Sequence, residues 1–258
     1  KVYTIQEGLI NNNILSLMES ATGAIWIGTD EGVNVFEDGC FIHYGSQEGF
    51  GNYRVTSLLE SATGAIWIGT SGGVSVFENS HFTHYGIEDG LSNPRVTSLL
   101  EPATGVIWIG TAEGVNVFEE DSFLHYSTED GLSSNSVWSL LKSTTGAIWV
   151  GTSKGVDVFE EGYFTHYDTE EGLGNHRITS LLESATGAIC IGTSEGLDVF
   201  ESNHFTHYGT EDGLSSSRIR SLFESASGNI WVGTYGGGVN IFELGRVTHY
   251  GTEEGLSY

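Results

Sequence analysis

Short runs of apolar and β-branched residues recur along the chain, separated by clusters of Gly, Ser, Asn and Asp. In residues 50–90 the runs are Val55–Glu60, Ala65–Thr70, Val74–Phe77 and Phe82–Tyr85. Runs of this length and composition, bounded by turn residues, predict β-strands, and no window shows helical periodicity. The second run is apolar at consecutive positions, which predicts a strand covered on both faces.

The same four-strand pattern occurs six times. An acidic residue followed by glycine and an apolar residue recurs at Gly8, Gly49, Gly90, Gly131, Gly172, Gly213 and Gly255, at intervals of 41 residues five times and then 42. The string Trp-Ile/Val-Gly-Thr begins at Trp26, Trp67, Trp108, Trp149 and Trp231, with Cys190 in place of tryptophan in the fifth copy. Four strands in a unit of about 40 residues are typical of a propeller blade, whereas a solenoid needs capping ends, and neither end here differs from the middle.

The sequence therefore predicts an all-β fold, a six-bladed β-propeller with four antiparallel strands per blade. We expect a single domain over residues 1–258. The expected blades cover approximately residues 9–49, 50–90, 91–131, 132–172, 173–213 and 214–255.

The repeated string resembles a known family. Ser92-Asn93-Pro94-Arg95-Val96, Trp108-Ile109-Gly110-Thr111 and Gly114-Val115, with Phe-Thr-His-Tyr closing several copies, closely resemble the two-component-regulator propeller repeat. The resemblance covers practically the whole chain. It implies the propeller fold and a ligand-sensing role, in the periplasm or outside the cell if the chain follows the family's sensor domains.

The chain departs from this family in two ways. The acidic residue common before the first turn's glycine is replaced by Ser20, Ser61, Pro102, Ser143, Ser184 and Ser225. No transmembrane, kinase or DNA-binding segment is attached in these 258 residues, so a complete signalling role does not transfer with the resemblance.

Charge and composition narrow the function. With 34 acidic and 9 basic side chains, the formal net charge is −25, which argues against binding of nucleic acid or of anionic membranes. No apolar run approaches the roughly 18 residues of a membrane span. We expect Cys40 at the surface and Cys190 buried, both as free thiols.

Candidate binding residues are sought where the copies differ. If the first strand of each blade lines the central channel, the loop leading into it and the loop between the second and third strands share one face, and both vary. The fifth position after the repeat glycine is Asn13, Arg54, Arg95, Ser136, Arg177 or Arg218, and Tyr53 and His176 precede two of the arginines. Clustered guanidinium groups at the channel mouth suit a carboxylate, sulfate or phosphate.

Two positions further on, Trp138 and Arg220 break a threonine pattern, and they suit an aromatic platform and an additional cation. Simple drift of the repeat explains them equally well. The alternative for the arginines is pairing with acidic neighbours such as Glu48, Asp89, Glu171 and Asp212.

Other chemistry finds no support in the sequence. The repeated histidines, from His43 to His249, fall on outer strands of different blades, too far apart to share a metal ion. No nucleophile motif or phosphate loop is present. We therefore expect no cofactor and no metal.

The leading hypothesis is a non-enzymatic binding module for a small anionic ligand, an acidic oligosaccharide or a protein partner. The alternatives are a structural product of repeat amplification or engineering without a small-molecule ligand, and a carbohydrate-active enzyme.

The two ends of the chain overlap in the repeat. Val2-Tyr3 aligns with His249-Tyr250, so two segments compete for the outer edge of the sixth blade. A short hairpin through Leu244 and Gly245 favours Val247 to Tyr250, because closing a short loop costs little entropy. The surplus segment could pair with the sheet edge of a neighbouring molecule and cause self-association.

Overall fold

The computed structural model describes residues 2–45, 50, 53–243, 245–251, 253 and 255. Their contacts divide the chain into two compact units, Lys1–Ser127 and Thr128–Tyr258. Each unit contains three four-stranded antiparallel sheets in which the strands follow chain order.

The first unit contains blades 1 to 3. Blade 1 consists of β1 (Ile14–Glu19), β2 (Ile25–Thr29), β3 (Val33–Glu37) and β4 (Cys40–Tyr44). Blade 2 consists of β5 (Val55–Glu60), β6 (Ile66–Thr70), β7 (Val74–Glu78) and β8 (His81–Tyr85). Blade 3 consists of β9 (Val96–Ala103), β10 (Val106–Thr111), β11 (Gly114–Glu119) and β12 (Ser122–Tyr126), preceded by a 3-10 turn at Ile87–Asp89.

The second unit contains blades 4 to 6. Blade 4 consists of β13 (Val137–Lys142), β14 (Ile148–Thr152), β15 (Val156–Glu160) and β16 (Tyr163–Tyr167), preceded by a 3-10 turn at Thr128–Asp130. Blade 5 consists of β17 (Ile178–Glu183), β18 (Ile189–Thr193), β19 (Leu197–Glu201) and β20 (His204–Tyr208). Blade 6 consists of β21 (Ile219–Glu224), β22 (Ile230–Thr234), β23 (Val239–Glu243) and β24 (Arg246–Tyr250), preceded by a 3-10 turn at Thr210–Asp212.

The prediction of an all-β, six-bladed β-propeller with four antiparallel strands per blade is confirmed. The strands of every blade lie within the residue ranges predicted from the repeat. A single domain over residues 1–258 stays a prediction. Among the described residues, no helix is both long and apolar enough to span a membrane.

The core lies between the sheets of neighbouring blades. Trp26 stacks on Tyr44 of its own blade, with ring centroids 6.1 Å apart, and lies 5.4 Å from the ring of Phe77 in the next blade. Gly28 permits the close approach, because a Cβ there would lie 2.5 Å from Val55 Cγ1. In blade 2 the consecutive apolar residues of the second strand are therefore buried on both faces, as the sequence predicted, whereas Trp231 in the second strand of blade 6 is 40% exposed.

The loop between the second and third strands requires glycine before the third strand. In blade 2 this is Gly73, with φ +132°, and a Cβ there would lie 2.4 Å from the carbonyl oxygen of Tyr85. Both the positive φ and the backbone contact exclude a side chain. The same position is glycine in all six blades, as the repeat shows.

The last strand of blade 6 comes from the C-terminal hairpin. β24 pairs with β23, as predicted, although Leu244 of the connecting turn lies outside the described residues. The N-terminal segment is not a strand, and Tyr3 instead packs on Phe36 and Phe41 at centroid distances of 5.3 and 5.4 Å. The two cysteines are free, Cys40 exposed and Cys190 buried, which confirms that prediction.

Candidate functional site

The loop that leads into the first strand of a blade, here the lead-in loop, is anchored in five of the blades by a buried polar residue of the third strand. In blade 1 the Oδ1 atom of Asn34 accepts a hydrogen bond from Ile10 N at 2.9 Å, and in blade 5 Asp198 Oδ1 accepts from Gly174 N at 2.9 Å. The residues at this position are almost fully buried: Asn34, Ser75, Asn116, Asp157, Asp198 and Asn240. Equivalent bonds occur in blades 3, 4 and 6, so the lead-in loops of these five blades are each held by their own blade.

A second local contact positions the arginines. The Oδ1 atom of Asn175 accepts a hydrogen bond from Arg177 N at 2.8 Å, and Asn93 makes the same turn with Arg95 N at 2.9 Å. Side chains of Asn, Asp and Ser form such turns to the backbone two residues on. The turn holds the backbone of the predicted site residue while its guanidinium group projects from the loop.

The lead-in loop meets the loop between strands two and three, here the return loop. The carbonyl oxygen of Arg218 accepts a hydrogen bond from Tyr235 N at 2.8 Å, and that of Arg54 accepts from Ser71 N at 2.9 Å. The two variable loops of one blade therefore share one face, as the sequence predicted.

In the first unit the predicted site residues are largely engaged. Arg54 Nε lies 3.1 Å from Asp30 Oδ1 in the return loop of blade 1, and the same carboxylate accepts from Asn13 Nδ2. Tyr53 stacks on His84 with centroids 5.5 Å apart and ring planes 7° apart. Arg95 is exposed and has no carboxylate within 4.0 Å in the described part of the chain.

In the second unit three arginines lie against aromatic rings. The guanidinium carbon of Arg177 lies 5.3 Å from the Trp138 ring centroid. Those of Arg218 and Arg220 lie 4.6 and 5.1 Å from the Tyr235 ring centroid. We call these five residues the arginine–aromatic cluster. Such distances lie within the range of a cation–π contact.

A small notch separates the arginines of the cluster. It is lined by Arg177, Thr179, Ser194, Arg218, Ile219 and Arg220 and has a volume of about 20 Å³. A volume of this size admits about one water-sized group. A ligand that used the notch would insert one small group, such as an anionic oxygen, and would extend over the open surface.

The acidic neighbours predicted as alternative partners are engaged elsewhere. Asp89 and Asp212 accept hydrogen bonds at 2.8 Å from the backbone N–H groups of Gly86 and Gly209, and Glu171 accepts from Asp168 N at 3.0 Å. Glu48 lies outside the described residues. Within the described residues, the three arginines of the cluster have no carboxylate within 4.0 Å. Among the described residues, none of Asp89, Glu171 and Asp212 lies within 4.0 Å of an arginine nitrogen, whereas Arg54 does pair with an acidic neighbour, Asp30.

Trp138 and Arg220 occupy a position that is structural in other blades. Thr179 Oγ1 donates to the carbonyl oxygens of Gly192 in its own blade, at 3.0 Å, and of Ile219 in the next blade, at 2.9 Å. Trp138 and Arg220 cannot reproduce this bridge. The Nε1 atom of Trp138 is buried and has no hydrogen-bond partner within the described structure.

The sequence analysis did not predict two residues that contact the arginines. Asp30 and Tyr235 occupy the first position of the return loop, which is Ser or Ala in the other blades. The sequence signal for both residues was that a larger side chain replaces Ser or Ala. The repeat alone does not show that this position contacts an arginine, either in its own blade or in the next. His176 is exposed next to Arg177.

The repeated histidines bind within their own blades. The Nδ1 atoms of His166 and His207 lie 3.1 and 3.0 Å from buried carboxylate oxygens of Asp157 and Asp198. Burial is the main cause that raises the pKa of both carboxyls, partly offset by the histidines and by hydrogen bonds from the lead-in loop. Among the described residues, no group of three or more His, Cys, Asp or Glu side chains is placed to bind a metal ion.

Comparison with known families gives one match. The family model described as "Two component regulator propeller" matches residues 8–31, 49–72, 131–154 and 213–236. Each match runs from a repeat glycine into the return loop, in blades 1, 2, 4 and 6. The unmatched blades 3 and 5 are those that carry the two prolines and Cys190. Among curated proteins, none matches the sequence.

Solved structures share the fold. The extracellular domain of BT3049 from B. thetaiotaomicron, described as a hybrid two-component system, is 26% identical with a TM-score of 0.84, and the match covers 97% of this chain and 36% of that one. The extracellular domain of BT4673 from the same organism, described as a one-component system, is 24% identical with a TM-score of 0.52, covering 96% and 36%. Virginiamycin B lyase from Staphylococcus aureus is 14% identical with a TM-score of 0.75, covering 92% and 84%. The chain thus spans about a third of the length of the first two proteins, and the lyase shows the fold alone.

Proposed function

Because the chain belongs to the two-component regulator propeller family, we propose that it is a non-enzymatic, sensor-type binding module that binds an anionic ligand at the arginine–aromatic cluster. The similarity to an extracellular domain of a two-component system supports the sensor role. By the same similarity the module works outside the cytoplasm.

The observation that carries the ligand proposal is the state of the three arginines. Arg177, Arg218 and Arg220 lie close together and, among the described residues, have no carboxylate within 4.0 Å, in a chain with 34 acidic side chains. Like charges held together repel one another, and a bound anion removes this cost while gaining charge-assisted hydrogen bonds. In so acidic a protein, most arginines are expected to have a carboxylate nearby. A bound anion would supply the missing negative charge to these three.

The rings of the cluster support the same proposal. Trp138 and Tyr235 lie against the guanidinium groups and restrict their movement, so less side-chain entropy is lost when a ligand binds. The exposed ring of Tyr235 also offers an apolar surface beside the cations. The combination suits a carboxylate or sulfate carried by a larger molecule, and an acidic oligosaccharide is the ligand class we propose.

Arg54 and Arg95 belong to the same proposal as weaker contributors. Arg54 is partly neutralised by Asp30, so a ligand anion must compete with that carboxylate. Among the described residues, Arg95 has neither a carboxylate within 4.0 Å nor an aromatic contact. We therefore expect the second unit to contribute more of the binding free energy than the first.

The test is binding of sulfated and uronic oligosaccharides, measured by calorimetry and by thermal shift at low and high salt. We expect binding to the unmodified chain to weaken as salt rises. Combined replacement of Arg177, Arg218 and Arg220 by serine should abolish it. Arg246→Ser removes an exposed arginine on β24 outside the cluster and is the matched control, which should bind as the unmodified chain does.

Two further variants separate the parts of the site. Arg54→Ser should reduce affinity less than Arg177→Ser, because Arg54 is partly neutralised by Asp30, whereas Arg177 has no carboxylate within 4.0 Å among the described residues. Trp138→Phe keeps a ring beside Arg177 and removes the unpartnered N–H, so it should retain more binding than Trp138→Thr. If no anion raises the melting temperature, or if Arg246→Ser weakens binding as much as the triple replacement does, the proposed site is wrong.

A further inference from the structure

The tryptophan of the second strand fills the space between neighbouring blades in the same way within each unit. Between blades 4 and 5, Trp149 stacks on Tyr167 with ring centroids 6.4 Å apart and meets Phe200 of blade 5 at 5.3 Å. Between blades 2 and 3, Trp67 meets Phe118 at 5.2 Å. An indole ring between a tyrosine of its own blade and a phenylalanine of the next is therefore the standard filling of this space.

The space between blades 5 and 6, both in the second unit, lacks this ring. Cys190 replaces the tryptophan and is almost fully buried beside Tyr208 and Phe242. These two rings lie 4.7 Å apart, whereas Tyr167 and Phe200 at the interface of blades 4 and 5 lie 5.7 Å apart. A groove of about 520 Å³ remains here, which is a volume typical of small-molecule sites.

We call this space the Cys190 groove. Its walls are formed by Ala188, Cys190, Val199, Tyr208, Ile230 and Phe242. The residues at the equivalent positions between blades 4 and 5 form a groove of the same design, with Trp149 in place of the thiol. The Cys190 groove is therefore a standard inter-blade groove from which one aromatic ring is missing.

Three carboxylates also line the Cys190 groove, whereas no lysine, arginine or histidine among the described residues does. Glu201 and Glu243 end the third strands of blades 5 and 6 and are exposed, and Glu224 ends the first strand of blade 6. Glu224 accepts hydrogen bonds from Ala185 N at 2.9 and 3.0 Å. In the described part of the chain, no basic nitrogen lies within 4.0 Å of any of the three carboxylates. The groove therefore combines aromatic walls with negative charge that favours a cation.

The Cys190 groove lies at the opposite end of the blades from the arginine–aromatic cluster. It includes residues of the turns between strands one and two and between strands three and four, such as Ser184, Gly228 and Gly245. The lead-in and return loops join the other ends of these antiparallel strands. The two sites therefore differ in face and in sign of charge, and neither needs the other.

We propose that the Cys190 groove binds an arylalkylammonium ion, with the aromatic ring of the ligand in the place that tryptophan occupies in the other blades. Two separate observations point to this occupant. The tryptophans of the repeat show that an indole ring fits between this tyrosine and this phenylalanine, and the carboxylates of the groove complement a positive charge.

The position of Trp149 in its own groove indicates how the ligand lies. The ring of the ligand stacks on Tyr208, and Phe242 meets it at an angle of about 60°. Tyr208 and Phe242 separate to the distance found for the equivalent rings, and the ammonium group extends toward the exposed carboxylates of Glu201 and Glu243. Because association costs translational and rotational entropy and the rings must separate, we expect a dissociation constant on the order of 1 mM for a probe with a single indole ring.

The test is calorimetric titration of the full chain with two probes that share an indole ring and differ in charge. Tryptamine carries an ammonium group, and tryptophol carries a neutral hydroxyl group in its place. We expect one tryptamine to bind per chain, roughly fivefold more tightly than tryptophol at low salt. This advantage of tryptamine should diminish as salt rises.

Three variants separate the ring from the charge. Cys190→Trp fills the place of the ring and should abolish binding of both probes. Combined Glu201→Gln and Glu243→Gln should remove most of the advantage of tryptamine and leave the affinity for tryptophol unchanged, because the aromatic walls stay intact. Glu78→Gln is the matched control: it changes the same strand position in blade 2, outside the groove, and should bind both probes as the unmodified chain does.

A second measurement creates the site elsewhere. Trp149→Cys removes the indole between blades 4 and 5, where Glu160, Glu183 and Glu201 line the groove, and should raise the number of bound tryptamine molecules from one to two. Circular dichroism verifies that each variant is folded.

Several results would overturn the proposal. These are unchanged tryptamine binding by folded Cys190→Trp, equal affinities of the unmodified chain for tryptamine and tryptophol, and equal weakening by Glu78→Gln. Absence of tryptamine binding up to about 10 mM, ten times the expected dissociation constant, overturns it as well. If Cys190→Trp does not fold, the Glu201 and Glu243 replacements decide. Failure of the anion site in its own test changes none of these outcomes.

Discussion

Replacing Cys190 by tryptophan restores to blade 5 the residue that the other five blades carry. Cys190 is buried between blades 5 and 6, beside Tyr208 and Phe242. Those two rings are 4.7 Å apart, whereas the equivalent tyrosine–phenylalanine pairs next to a tryptophan are 5.1–5.7 Å apart in the described interfaces. The rings have therefore closed over part of the missing indole's volume.

The expected gain follows from buried area. An indole in this position buries about 100 Å² more apolar surface than a thiol, which stabilises by roughly 2.5 kcal/mol at about 25 cal/mol per Å². Separating Tyr208 and Phe242 again costs about 1 kcal/mol of repacking. The net expectation for Cys190→Trp is about 1.5 kcal/mol more stability and a melting temperature higher by roughly 3–6 °C.

The assay is urea unfolding followed by circular dichroism, with thermal melting as a second measure. Trp149→Cys makes the opposite change in blade 4, where the ring stacks on Tyr167 at 6.4 Å and meets Phe200 at 5.3 Å. It should lose about 3 kcal/mol, as large-to-small core changes do. Loss of stability in Cys190→Trp would refute the reasoning, because the interface of blades 5 and 6 would then be fully repacked around the thiol.

Three further predictions concern single side chains. Burial raises the pKa of the Cys190 thiol to about 12, so in native protein a disulfide reagent should label Cys40 alone, and rapid labelling of two thiols contradicts this. The pKa of Asp157 is raised, because the folded protein disfavours the ionised carboxylate. The free energy of unfolding should therefore fall as pH rises from below the ordinary pKa of an aspartate to above the pKa of Asp157 in the folded protein. Asp157→Asn should therefore gain stability relative to the unmodified chain over that rise, and a pH-independent difference in unfolding free energy contradicts it. Gly192→Ala should destabilise by about 1–3 kcal/mol because the new Cβ meets the next blade, while Gly233→Ala should cost less; equal losses in urea unfolding contradict this.

Most of the fold follows from the repeat. A period of 41 residues with four bounded apolar runs determines the strands, and the short turn at Gly245 explains why β24 rather than the N-terminal segment completes blade 6. The burial of Cys190 follows from its place in an apolar strand. These features depend on local sequence, which the six copies repeat almost unchanged.

The candidate site can be predicted from the sequence only in part. The arginine position was found because the copies differ there, but its contacts depend on the return loops of two neighbouring blades. Asp30 therefore pairs with Arg54 of the next blade, and Tyr235 lies against Arg218 of its own. A one-dimensional repeat cannot show which of these neighbours is closer. The buried residues Asp157 and Asp198 were also missed, because they stand where other blades have Asn or Ser.

The buried polar residue of the third strand has a consequence for how this surface can change over time. Since it fixes the start of the lead-in loop through a backbone N–H, the side chain at the anchored loop position contributes little to where the loop lies. Each blade can therefore exchange its outward residues separately, without refolding its neighbours. A duplicated array of this kind can acquire different recognition residues blade by blade from identical starting copies.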